Sequence, residues 1–279
     1  MEDNKQQNAQ SEVEAAPSLT VEEAIANLQQ REDLSDCYYA AWWLGRFRVR
    51  EPAAIAALIT ALEDNESRSP DGGYPLQRNA AKALGKLGDR QAVEPLINRL
   101  VSSDDFYVRE SAAQALEMLE DVRAIPALIK RLDGGIEAAT PVPGKPHLTQ
   151  PYEAIIEALG KLRATEAIPL IIPFLEHSVE KVQFAAARAM YQLTEESLYA
   201  ERLMQGLKND KLQVRRAALL DIGMIGYLPA AELVSQTPVA NSLRLISLKG
   251  ILEFQLKNNL LDSLSPESIQ VLGMMDDLL

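Results

Sequence analysis

Val108-Arg109-Glu110-Ser111-Ala112-Ala113-Gln114-Ala115-Leu116 is the stretch on which the fold turns. Apolar or small residues stand at i, i+4, i+5, i+7 and i+8, which is one face of a 3.6-residue period and predicts an amphipathic helix. The pattern recurs at Leu76 to Leu84, Pro151 to Leu159, Val182 to Met190 and Val214 to Ile222, and in divergent form at Asp36 to Leu44. Its last residues, 84, 116, 159, 190 and 222, are spaced by 32, 43, 31 and 32 positions. The unit is therefore 31 or 32 residues, with insertions before Leu76 and before Pro151. A short turn, often with Gly (Leu84-Gly85, Gly88, Leu159-Gly160), is expected after each such helix. A second helix then carries Pro near its start, at Pro95, Pro126 and Pro169, where a first turn tolerates it. Six helix pairs are legible, and a weaker helix from about Asn241 to Leu256 closes the array. Each pair leaves apolar surface for the next to cover, so the expected fold is an all-α superhelix, a solenoid of helix-pair repeats.

Composition agrees. Hydrophobic residues make up 47% of the 279 positions and aromatics only 5%, and Ala and Leu favour helix over strand. The net charge of −12 argues against nucleic acid, whose phosphates call for a basic face. No apolar run is long enough to span a membrane. One cysteine, Cys37, fits a reducing compartment, and the N-terminus has no apolar signal region, so a cytoplasmic protein is expected. Residues 1–18 read as a disordered acidic tail and 19–279 as a single solenoid.

The insertions are Asp64 to Pro75, containing Gly72-Gly73-Tyr74-Pro75, and Gly134 to Gln150, containing His147. Both join the second helix of one unit to the first helix of the next, so both should leave the same edge of the solenoid, where such loops often serve binding. No phosphate loop, metal-ligand spacing or nucleophile elbow is present. His177 reads as a surface residue and Cys37 as a small buried apolar one.

Cys37-Tyr38-Tyr39-Ala40-Ala41-Trp42-Trp43-Leu44-Gly45 holds both tryptophans. In register with the repeat, Tyr38 replaces Arg78, Glu110, Glu153, Phe184 and Arg216, while Trp42 replaces Lys82, Gln114, Glu157, Arg188 and Leu220. These positions are mainly polar, so Tyr38 and Trp42 are expected to face outward as an i,i+4 pair for a ligand or partner. Trp43 replaces Ala83, Ala115, Ala158, Ala189 and Asp221, and is expected, with Tyr39, to fill space in a capping unit. Arg78, Arg109, Arg188, Arg215 and Arg216 lie on the same helices, expected to line the concave side, and as a group point to carboxylates.

The run Tyr38 to Gly45, followed by Gly72-Gly-Tyr-Pro-Leu-Gln-Arg-Asn-Ala-Ala-Lys-Ala-Leu-Gly85, closely resembles the E-type (alpha) subunit of the E/F heterodimeric phycobilin lyases, a HEAT-like repeat family. The likeness covers nearly the whole chain after the tail. It implies a subunit of an enzyme of cyanobacterial antenna assembly that attaches phycocyanobilin through a thioether to a cysteine of the phycocyanin alpha subunit. The implied partner is an F-type subunit, and phycocyanobilin is substrate, with no tightly bound cofactor. The resemblance assigns no catalytic residue beyond the aromatic motif. A bilin is an open-chain tetrapyrrole with two propionates, so the candidate bilin-binding residues are Tyr38, Trp42, Tyr74, Arg78, Arg109 and Arg215. Thiol addition to it calls for a protonated bilin and a thiolate. The stretch Leu256 to Leu279 is the expected F-type contact or else a C-terminal cap. The alternatives are a non-enzymatic scaffold or chaperone for antenna proteins, and a related lyase acting on another phycobiliprotein subunit.

Overall fold

The computed structural model describes residues 19–258 and 264–279; the expected tail and the apolar Leu260 and Leu261 lie outside the described residues. A lone helix α1 (Val21–Gln29) opens the array. Pairs follow: α2 (Leu34–Arg46) with α3 (Pro52–Glu63), α4 (Pro75–Leu87) with α5 (Val93–Ser102), and α6 (Phe106–Leu119) with α7 (Ile125–Lys130). After a one-turn helix α8 (Gly135–Ala138) in the second insertion come α9 (Tyr152–Lys161) with α10 (Ile168–Ile171), and α11 (Glu180–Thr194) with α12 (Ser197–Gly206). The last pairs are α13 (Leu212–Ile225) with α14 (Ala231–Gln236), and α15 (Asn241–Asn258) with α16 (Pro266–Asp276). Among the described residues there is no strand, only an isolated bridge between Pro141 and Leu148 in the second insertion. The array therefore ends on a full pair rather than one weak helix. α16 buries Val271 and Ser268 and leaves Ile269 exposed, as is Leu264 just before it.

The repeat helices α2, α4, α6, α9, α11, α13 and α15 pack side by side as one layer, and their partners form the other. The first layer is the more tightly spaced, so it is the inner side of the curve. Glycine explains the spacing, and here the expectation of a Gly turn is corrected. Gly45, Gly85 and Gly160 are not in turns; they lie inside α2, α4 and α9. A Cβ on Gly85 would come 2.8 Å from Ala115 Cα, and one on Gly160 would come 2.6 Å from Ala189 Cα. The left-handed residue that ends the inner helix is Gly88 or Gly226 in two units, but Glu120 and Glu195 in two others. The repeat thus uses Gly chiefly for close helix approach.

A sharp test follows from that contact. In a free helix Gly→Ala stabilises by about 1 kcal/mol, but at Gly160 the added methyl meets backbone that has no flexible end to move. Gly160→Ala is expected to lower unfolding stability by about 1–2 kcal/mol, read by urea denaturation. A stabilised variant would show that the inner helices do not touch there.

Candidate functional site: the inner groove and its two insertions

The column Trp42, Lys82, Gln114, Glu157, Arg188 and Leu220 runs along the inner face. Trp42, Lys82 and Leu220 are exposed, Gln114 and Glu157 half-buried and Arg188 buried, as a concave floor requires. Trp42 is 46% exposed, and so is Tyr39. Their rings stack, centroids 5.6 Å apart and planes 28° apart.

This corrects the expected pair. Tyr38 is half-buried against the core, burial pushes its phenol above the usual range, and its carbonyl accepts from Asn79 Nδ2 at 3.0 Å. Tyr39, expected to fill space, is the exposed member. The reason is positional. Residues in its register face the preceding inner helix, as Asn79 of α4 does toward α2, but among the described residues no inner helix precedes α2. Trp43 is 9% exposed and packs on Phe47, centroids 4.9 Å apart, in the space-filling place expected of it.

The two insertions leave the same edge, as expected, and meet at the start of α6. His147 of the second stacks on Phe106, centroids 4.2 Å apart and planes 10° apart. In the first, Arg68 lies over the Tyr74 ring at 5.2 Å. The Arg78 guanidinium covers Tyr107 at 4.7 Å and makes no ion pair among the described residues. Arg68, Arg78, Phe106, Tyr107, Lys145 and His147 line a cleft of about 600 Å³. His177, expected at the surface, is 3% exposed. It bonds Ala139 O through Nε2 at 3.0 Å and accepts from Val179 N–H through Nδ1, also at 3.0 Å. The second insertion is pinned to the body by this ring.

Arg109 and Arg215, expected as free cations for propionates, are clamps. Arg109 donates to Ser103 O at 2.9 Å and to Thr149 O at 3.2 Å. Arg215 donates to Asn209 O at 2.8 Å and to Pro238 O at 3.3 Å. Gln77, Gln183 and Arg244 hold equivalent positions and also donate to loop carbonyls. Cys37 takes this position in the first unit, its thiol bonding Gln30 O at 3.4 Å, and burial raises its pKa. A half-buried carbonyl left without a partner is costly, so the repeat keeps a donor there. Arg216 is exposed.

The centre of the groove was not legible as a site. Arg188, whose side chain is 5% exposed, bonds Glu117 of α6 and approaches Glu157 of α9 at 3.3 Å and Asp221 of α13 at 3.6 Å. Contact between α11 and α6, two inner helices apart, again requires an inward curve. One guanidinium faces three carboxylates, and burial drives the Glu157 and Asp221 carboxyls toward the protonated form. Burial and then Glu153 push Glu110 the same way. Beside this cluster is a pocket of about 600 Å³ between α11, α13 and α15, walled by Phe184, Leu220, Met224 and Ile246, with Lys181 and Lys249 also lining it. The sequence signal was Asp221, an acid in a column otherwise held by Ala and Trp43. Among the described residues no group of side chains has metal-binding geometry, and no helix is long and apolar enough to cross a membrane.

The family described as HEAT repeats matches residues 68–137 and 151–222, and the family described as PBS lyase HEAT-like repeat matches 36–64. The phycocyanobilin lyase subunit alpha of Nostoc sp. is 60% identical over 268 residues, covering 95% of this chain and 96% of the relative. That of Picosynechococcus sp. is 57% identical, covering 96% of this chain and 100% of the relative. The bilin biosynthesis protein PecE of Nostoc sp. is 44% identical, covering 95% and 98%. Among solved structures, the complex of CpcE and CpcF of phycocyanin lyase from Nostoc sp. contains a chain that is 59% identical, superposes with a TM-score of 0.89, and is matched over 96% of this chain and 97% of that one.

Proposed function

The chain belongs to the phycocyanobilin lyase alpha-subunit family, and we propose that it joins phycocyanobilin through a thioether to a cysteine of the phycocyanin alpha subunit. It is a bilin lyase subunit that acts with an F-type partner, and phycocyanobilin is its substrate. The greater likeness to phycocyanobilin lyases than to PecE, 60% against 44%, favours phycocyanin over another antenna protein as acceptor.

The observation that carries the reading of the site is the exposed Tyr39–Trp42 stack at the open end of the inner face. A solitary solenoid end normally presents polar groups, so an aromatic platform there fits a flat conjugated ligand or its carrier. The bilin stacks on Trp42, and the cleft supplies Arg78 for a propionate. Tyr38, Arg109 and Arg215 support this surface from beneath rather than touching ligand. Among the described residues the one cysteine, Cys37, is buried, which suits a protein that holds the bilin while the acceptor's thiol attacks.

Co-expression with the F-type partner, a phycocyanobilin supply and one antenna subunit at a time tests the assignment. Covalent, denaturation-resistant bilin on the phycocyanin alpha subunit is the expected product. Labelling of a different subunit would reassign the acceptor, and labelling of none would leave a scaffold.

A further inference from the structure

Thiol addition to a conjugated tetrapyrrole needs an acid, and the groove places one away from the aromatic pair. We infer that Glu157 is the general acid that protonates the bilin, and that the pocket between α11, α13 and α15 holds the protonated tetrapyrrole against its apolar wall. This rests on the lyase reading above and adds the residue that supplies the proton.

Three observations converge on the pocket. Its volume, about 600 Å³, lies within the range of sites that enclose small organic ligands. Its wall of Phe184, Leu220, Met224 and Ile246 exposes Met224 and Ile246 to solvent, an unusual place for such side chains without a ligand to cover them. Its lining brings the half-buried Glu157 and the buried Arg188 and Asp221 to the same cavity. The ammonium groups of Lys181 and Lys249 take a propionate at the rim.

Charge selects the protonated form. Arg188 offers one positive charge to Glu117, Glu157 and Asp221, so the cluster holds either extra protons or an extra cation. Burial keeps Glu157 protonated well above the ordinary carboxyl range, with Asp221, Glu117 and Glu153 adding to the effect against Arg188. From α15, Glu253 pairs with Lys249 at 3.6 Å and the two nearly cancel; Lys181 of α11 is exposed. The proton therefore passes from the Glu157 carboxyl to a pyrrolic nitrogen, and the resulting cation sits beside the carboxylate it left. Its charge spreads to the ethylidene carbon. The thiolate's electron pair forms the S–C bond there, and the displaced π pair neutralises the cation. The thiol has lost one proton and the adduct has gained one, with Glu157 reloaded from solvent, so H and S add at the two ends of the conjugated system, on nitrogen and on the ethylidene carbon, and no oxidant is involved.

The aromatic pair stands three inner helices from Glu157, roughly 25–30 Å at 8–10 Å per helix, beyond the reach of one bilin. Trp42 is then the place of uptake and the pocket the place of activation.

The test uses the heterodimer with phycocyanobilin, reading bilin absorbance against pH, transfer to the acceptor, and melting temperature. Gln copies the protonated carboxyl in shape, so Glu157→Gln should melt as wild type does. The wild-type complex is expected to keep the red-shifted absorbance of protonated bilin to higher pH than free bilin. Glu157→Gln should lower that transition by a unit or more and slow transfer on the order of 10²-fold. An unchanged transition and rate in Glu157→Gln overturns the assignment, as does an effect confined to Asp221→Asn. A wild-type heterodimer that leaves bilin absorbance untouched at every pH sinks the bilin reading itself.

Discussion

Arg188→Ala is expected to cost about 3–5 kcal/mol of stability at pH 8, because it strips the guanidinium that faces Glu117, Glu157 and Asp221 and leaves those buried acids uncompensated. At about 2–4 °C per kcal/mol for a chain of this size, the melting temperature should fall by roughly 10 °C. The loss is pH-dependent, and its sign is fixed. Without Arg188 the Glu157 and Asp221 carboxyls, already raised by burial, rise further. The folded state then holds more protons than the unfolded chain between the ordinary carboxyl range and those raised values, so stability falls as pH increases through that window. The variant should approach wild type near pH 5, where the carboxyls are protonated in the fold. Arg188→Lys keeps the charge but loses the fork that reaches three helices, and should fall between. Equal melting of Arg188→Ala and wild type at pH 8 would mean the cluster is solvated and carries no buried charge.

The second large effect separates two adjacent tryptophans. Trp43→Ala removes a side chain 9% exposed that packs on Phe47, and should destabilise by about 3 kcal/mol. Trp42→Ala removes one 46% exposed whose ring meets Tyr39 and solvent. It should leave helicity and melting nearly unchanged and reduce bilin attachment about tenfold or more, as stacking and area burial are lost together. One assay of chromophore transfer and one thermal melt per variant decide the matter. Normal transfer by Trp42→Ala, or loss of transfer that merely tracks unfolding, would remove the stacking site.

These outcomes divide along what one repeat can and cannot contain. The 31- or 32-residue recurrence of the Val108 to Leu116 pattern determined the all-helical repeat fold and six of its helix pairs, because helix periodicity and neighbour stacking are local properties repeated down the chain, but it missed the pairing of α15 with α16. The same register determined that Trp43 fills a packing column and that Trp42 faces outward, and that both insertions leave one edge. It misplaced Tyr38 and Tyr39, since their exposure depends on whether an inner helix precedes theirs, and among the described residues none does. Gly85 and Gly160 looked like turn residues because only the neighbouring helix shows what a Cβ would strike. Arg109 and Arg215 looked like free cations because the carbonyls they bind belong to loops up to 40 residues away. Curvature decided the rest. It brings Glu117, Glu157, Arg188 and Asp221 together from four helices, and a charge buried there takes its protonation from neighbours that no window of sequence contains.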